Sequence, residues 1–127
     1  MSYANFDRSK YPLIVVEFTG EKPTDDSFDL YLEGLFENYG RGENIQILFD
    51  AQRAVFPALK YQMKQAKWLK EHELLMKDQC KGIAYTIPNV VIRNALSLIF
   101  KIQGQPVPYQ VVSTNEEGIA WLNGLKG

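Results

Sequence analysis

At 127 residues, 46% hydrophobic and 23% charged, the chain has the composition of a single globular domain over residues 1–127, long enough to bury roughly two-thirds of its unfolded surface. A net charge of −1 argues against a nucleic-acid binder, because phosphate recognition shows as a basic excess, and no apolar run reaches the ~18 residues of a membrane span. With one cysteine, Cys80, and one histidine, His72, an intramolecular disulfide, a Cys-Cys metal pair and a His-His metal pair are all excluded.

The first ten residues are polar and studded with aromatics, and predict a short leading strand at 3–6 that turns at 7–10. Leu13-Ile14-Val15-Val16-Glu17-Phe18-Thr19 is β-branched and aromatic and ends at Gly20. With Ile14, Val16 and Phe18 on one face and Leu13 and Val15 on the other, it reads as a strand covered on both sides. Thr24 is an N-cap, followed by Asp25 and Asp26 where the helix dipole favours negative charge. From there Phe28, Tyr31, Leu32, Leu35, Phe36 and Tyr39 recur at helical steps until Gly40 and Gly42 stop the helix. Asn44-Ile45-Gln46-Ile47-Leu48-Phe49-Asp50 is nearly continuous in apolar residues, as a strand buried on both faces of a parallel sheet should be.

Pro57 fits a first helical position, and the helix it opens should run to Leu74 or a little beyond. Steps of 100° give it a core stripe of Leu59, Met63 and Ala66, with Tyr61, Trp68 and Leu75 on the opposite side. Six lysines fall between Lys60 and Lys81 and read as the solvated side of this helix. They account for most of a charge asymmetry, because residues 1–50 carry about −6 and residues 51–127 about +5. Gly82-Ile83-Ala84-Tyr85-Thr86-Ile87 is the next strand, closed by Pro88. Asn89 then caps a helix over Val90–Gln103 that stops at Gly104. Val91, Ala95, Leu98 and Ile102 make its core face, yet Ile92, Leu96, Ile99 and Phe100 carry the apolar arc most of the way round, as burial against a second body would require. Tyr109-Gln110-Val111-Val112-Ser113 is the last strand, and Thr114 or Asn115 caps a last helix that buries Ile119, Ala120, Trp121 and Leu125. Alternating strands and helices at this spacing predict a small, mostly parallel or mixed α/β sheet of about four to five strands with four helices.

The sequence has no Gly-x-Gly-x-x-Gly after a strand, no phosphate-binding Gly-Lys-Ser/Thr loop and no Gly-x-Ser-x-Gly elbow. Asp50 sits where α/β folds place their sites, at the carboxyl end of a strand, but a carboxylate there also serves as a turn cap with Arg53 as an ion-pair partner. Arg93, on the polar edge of an apolar helix, either binds an anion or reaches past it to water.

The order of elements, the Phe49-Asp50 strand end leading to a helix, and Gly82-Ile83-Ala84-Tyr85-Thr86-Ile87-Pro88-Asn89 followed by Ile92-Arg93-Asn94-Ala95-Leu96 resemble the SpoIIAA-like proteins of the STAS/SEC14 type. The closing Tyr109-Gln110-Val111-Val112-Ser113-Thr114 and Glu116-Glu117 through Ala120-Trp121-Leu122 are similar to that group as well. The resemblance implies a small sheet backed by helices in a cytoplasmic single-domain protein, and the N-terminus lacks the features of a signal peptide. Anti-sigma-factor antagonists of this group carry a phosphorylatable Ser or Thr at the start of the helix after the strand. Here Asp50-Ala51-Gln52-Arg53-Ala54-Val55-Phe56-Pro57-Ala58 holds no hydroxyl, so no phosphorylation switch is expected. The SEC14-like side implies a pocket for a lipid or other apolar molecule.

Two functional expectations follow. One is a non-enzymatic binding module that needs no cofactor, its lipid-like or other apolar ligand held by Ile92, Leu96, Ile99 and Phe100 with Arg93 at the edge, and by the region from Phe56 to Trp68. The other is an interaction protein, a homodimer or a partner-binding module, that uses Ile92, Leu96 and Phe100 or the stripe of Tyr61, Trp68 and Leu75. An enzyme built on Asp50 with Arg53 or Arg93 lacks a recognisable acid/base pair. The blandest alternative makes both helix stripes ordinary core.

Overall fold

The computed structural model describes residues 2–55 and 57–125, apart from the side chains of Ala95, Ile99, Ile102 and Gln103. Strands β1 (Ala4–Lys10) and β2 (Leu13–Phe18) pair antiparallel, and β3 (Ile45–Asp50), β4 (Cys80–Thr86) and β5 (Tyr109–Val112) add in parallel, giving the order β1-β2-β3-β4-β5. The leading strand is longer than its sequence predicts. It runs through Lys10 and turns at the cis Tyr11-Pro12 bond, where the Tyr11 amide donates to the Arg8 carbonyl.

Helix α1 (Asp25–Glu37) begins in a capping box, with the Thr24 hydroxyl accepting from the Ser27 amide and the Ser27 hydroxyl accepting from the Thr24 amide. The helix expected from Pro57 is two helices, α2 (Leu59–Glu71) and α3 (Glu73–Gln79), so the described residues form five helices and not four. The break falls at His72, whose ring stacks on Trp68 at 4.3 Å with Nδ1 2.8 Å from the Trp68 carbonyl, while its backbone leaves helical geometry. Helix α4 (Val90–Gln103) starts where Asn89 accepts from the amides of Val91 and Ile92 and ends at Gly104, whose φ of 75° is open to glycine at low cost. Helix α5 (Asn115–Asn123) is capped by Thr114.

Strand alternation sorts the core into two layers. Ile14, Val16, Ile47, Phe49 and Ile83 point to the face that carries α1, α2 and α3, and Tyr85 and Tyr109 meet the Phe100 ring of α4 on that same side. Leu48 and Ala84 point to the other face, which α5 alone closes with Leu122. A leading-strand contact completes the first layer: Phe6 fills the space where a Cβ on Gly34 would sit, and Arg8 donates from Nε to Asn38 Oδ1 at 2.6 Å and to the Gly34 carbonyl at 3.0 Å.

Two helices are turned relative to the reading of their sequences. In α2 the expected core stripe faces out, Leu59 being 68% and Met63 64% exposed, whereas Tyr61 at 7% and Trp68 at 8% point into the core and Leu75 packs against it. In α4, Val91 at 73% and Leu98 at 61% face solvent. The reason is size. The sheet offers a broad aromatic surface in Phe18, Phe49 and Tyr85, and a large ring covers more of it than an aliphatic side chain of the opposite stripe.

Candidate functional site: an aromatic cavity between sheet and helices

The inward rings do not close the layer. Between the sheet and α1, α2 and α4 lies a cavity of about 550 Å³, in the middle of the range of small-molecule sites. Its floor is Ile47, Phe49, Ile83 and Tyr85, one wall is Phe28, Tyr31 and Leu35 of α1, a second is Tyr61, Gln65 and Trp68 of α2, and a third is Ile92, Leu96 and Phe100 of α4. The mouth lies at the carboxyl ends of β3 and β4, among the exposed Gln52, Ala54, Gln62, Pro88 and Asn89. From there the space runs down to Tyr39 and Met76. This is the edge at which open α/β sheets accept ligands.

The floor has internal order. Phe18, Phe49 and Tyr85 stand on adjacent strands with centroids 6.0 and 5.2 Å apart and planes inclined by 15° and 9°. Rings stacked side by side across strands turn their electropositive edges, not their faces, toward the cavity. The phenols are tied where partners reach them. Tyr61 donates to Asp25 at 2.9 Å and Tyr85 to Gln105 at 3.2 Å. The Tyr39 hydroxyl is buried and has no hydrogen-bond partner among the described residues. Burial pushes the acidities of Tyr31, Tyr39 and Tyr85 well above the ordinary phenol value, and that of Tyr3 up to about 12, so these groups are neutral donors at any physiological pH.

Of the residues singled out as a ligand set, Ile92, Leu96 and Phe100 line this cavity together; the Ile99 side chain lies outside the described residues, as does Phe56. Arg93 does not join them. Its guanidinium donates to the carbonyls of Ile87 and Pro88 at 3.0 and 3.2 Å and so ties the start of α4 to the end of β4. Tyr61 and Trp68, read both as part of an interface stripe and as part of the Phe56–Trp68 pocket region, are cavity wall, and the half-buried Leu75 lies against the same core.

Asp50 is directed to the opposite face. Its carboxylate accepts from the Gln52 amide and side chain and, at 3.1 Å, from Asn115 Nδ2, joining β3 to the start of α5. Arg53, expected beside it, lies 3.9 Å from Glu17. Cys80 is buried, and desolvation raises its thiol to about 11, far from a nucleophile's range. What sequence reasoning missed is the depth of the site. The ring row of Phe18, Phe49 and Tyr85 was visible only as strand residues on one face, and Tyr39 only as the last apolar position of a helix.

No protein-family model matches the chain, and no curated protein matches it. Among solved structures it is similar to an uncharacterised protein of the DUF3478 family with a SpoIIAA-like fold from Shewanella loihica PV-4, with a TM-score of 0.69 and 16% identity over 94% of this chain and 91% of that one. At this identity the likeness is one of architecture, and the chain has a SpoIIAA-like α/β fold. Among the described residues no helix is long and apolar enough to cross a membrane, and no group of acidic, His and Cys side chains is arranged to hold a metal ion.

Proposed function

We propose that the protein is a non-enzymatic binding module that holds an apolar small molecule in the cavity between the sheet and α1, α2 and α4. The observation that carries this reading is the 550 Å³ space itself, framed by side chains from three helices and the sheet. Protein interiors pack densely, and an unfilled apolar space forfeits both transfer and dispersion energy. A chain selected for stability alone gains nothing from keeping one. The non-enzymatic part of the reading rests on chemistry: the cavity meets no acid/base pair among the described residues, Asp50 serves the other face, and Cys80 is held as a thiol.

Native mass spectrometry of protein purified gently from its expression host tests this directly. A reproducible non-covalent adduct of a few hundred daltons is expected on the natural sequence and not on Leu96→Trp, whose indole fills the cavity. An apo spectrum together with no uptake of added apolar probes would sink the proposal.

A second reading, self-association or partner binding, is favoured by one observation. The outer face of α4 presents Val90, Val91 and Leu98 to solvent, more apolar surface than a helix packed only inward displays. Light scattering of Val91→Glu and Leu98→Glu beside the natural chain discriminates, since the substitutions lower the mass only where that face is covered by a second copy.

A further inference from the structure

The chemical class of the ligand follows from what the cavity walls lack. The chain has 14 basic and 15 acidic side chains, and among the described residues none of them lines the cavity. Cations close by are committed elsewhere: Lys60 pairs with Asp25 at 3.0 Å and Lys64 with Asp29 on the outer side of α2, and Arg93 is spent on two backbone carbonyls. The polar groups that do reach the space are uncharged. Gln52, Gln62 and Asn89 stand at the mouth, and Gln65 and Gln105 lie further in.

A carboxylate or phosphate drawn into this space loses its hydration and meets no cation in exchange, the least favourable way to bury a charge. A neutral molecule loses little, and its acceptors find the side-chain amides of Gln62, Gln65 and Asn89. The row of ring edges from Phe18, Phe49 and Tyr85 adds a preference of its own, since π faces and carbonyl oxygens both meet positive ring edges favourably.

We infer that the ligand is an uncharged, ring-bearing molecule with at least one hydrogen-bond acceptor, and not a fatty acid or a phospholipid. This rests on the binding reading above. It narrows that reading from apolar molecules in general to neutral aromatic ones.

A matched probe pair tests it: 1-pyrenemethanol against 1-pyrenecarboxylate at pH 7.5, followed by energy transfer from Trp68, which lines the cavity, with Trp68→Phe removing that donor and leaving Trp121 on the opposite face as a control. The alcohol is expected to bind at least about tenfold more tightly than the carboxylate. Gln105→Lys, which places a cation at the wall, is expected to narrow that gap to about threefold or less; shape preference alone would leave it unchanged. Equal affinity for the two probes on the natural chain overturns the neutrality inference and leaves the binding module standing. Uptake of neither probe, nor of the neutral aliphatic 1-dodecanol, overturns both.

Discussion

The two faces of the sheet are built to opposite standards. Under α5 the packing is close: an added Cβ on Gly118 would sit 2.7 Å from Leu48 Cδ1 and 3.3 Å from Ala84 Cβ, and one on Gly82 would run into Leu125. The helix rests directly on the strands. Under α1, α2 and α4 the side chains are larger and the space between them is left unfilled. Glycine and alanine let α5 seal its face along its length, whereas on the other face close approach is made where Gly34 of α1 meets Phe6 and rings of Phe, Tyr and Trp stand around the remaining space. Ligand capacity should therefore lie on the three-helix face and not under α5.

The same deletion on the two faces should separate them most widely. Leu122→Ala removes a side chain that is 1% exposed in the close-packed layer and is expected to cost about 3 kcal/mol in urea denaturation. An equal cost for Leu96→Ala would erase the distinction between the faces.

Alkaline pH tests the cavity face separately, because its phenols and thiol are the groups whose acidities burial alters. Cys80 is raised from 9.0 to about 11 in the folded chain. Its contribution is thus complete below about pH 9 and is lost as pH rises toward 11, because the unfolded thiol ionises first. Two units correspond to about 2.7 kcal/mol at most, with Tyr3, Tyr31, Tyr39 and Tyr85 acting in the same direction. The urea midpoint should hold level from pH 7 to 9 and then fall. A flat profile to pH 11 would mean that water already reaches these groups.

Tyr39→Phe sharpens the contrast with a smaller effect of opposite sign. Removing a buried hydroxyl that makes no conventional hydrogen bond among the described residues should raise stability by about 1 kcal/mol. Thermal denaturation reads it. The smallest effect is expected for Leu96→Ala, which enlarges a space that already exists and should cost no more than about 1 kcal/mol, below the usual range for a filled core. Its consequence should instead be a severalfold loss of probe affinity.

Much of the fold was legible because its signals are local. Thr24, Asn89 and Thr114 each satisfy amides within three residues, and the apolar run at Ile45–Asp50 needs only its own neighbours to be read as a central strand. Ile92, Leu96 and Phe100 were legible as a surplus. Their destination was not, and in α2 and α4 the inward and outward stripes were exchanged. Periodicity reports that a helix has two apolar stripes but carries no information about what stands opposite each.

The sequence by itself determined the element order, the caps, the largely parallel sheet and the absence of a phosphorylatable hydroxyl after β3. Only the tertiary structure decided which stripe of α2 and of α4 meets the sheet, that Asp50 belongs to the α5 face, and that the aromatic layer borders a cavity with no charged side chain among the described residues. These are properties of side chains 30 or more positions apart, as Phe49 is from Tyr85 and Phe28 from Tyr61. Steric fit between such partners is settled by packing in three dimensions, where a ring's volume counts for more than its place in a helical repeat.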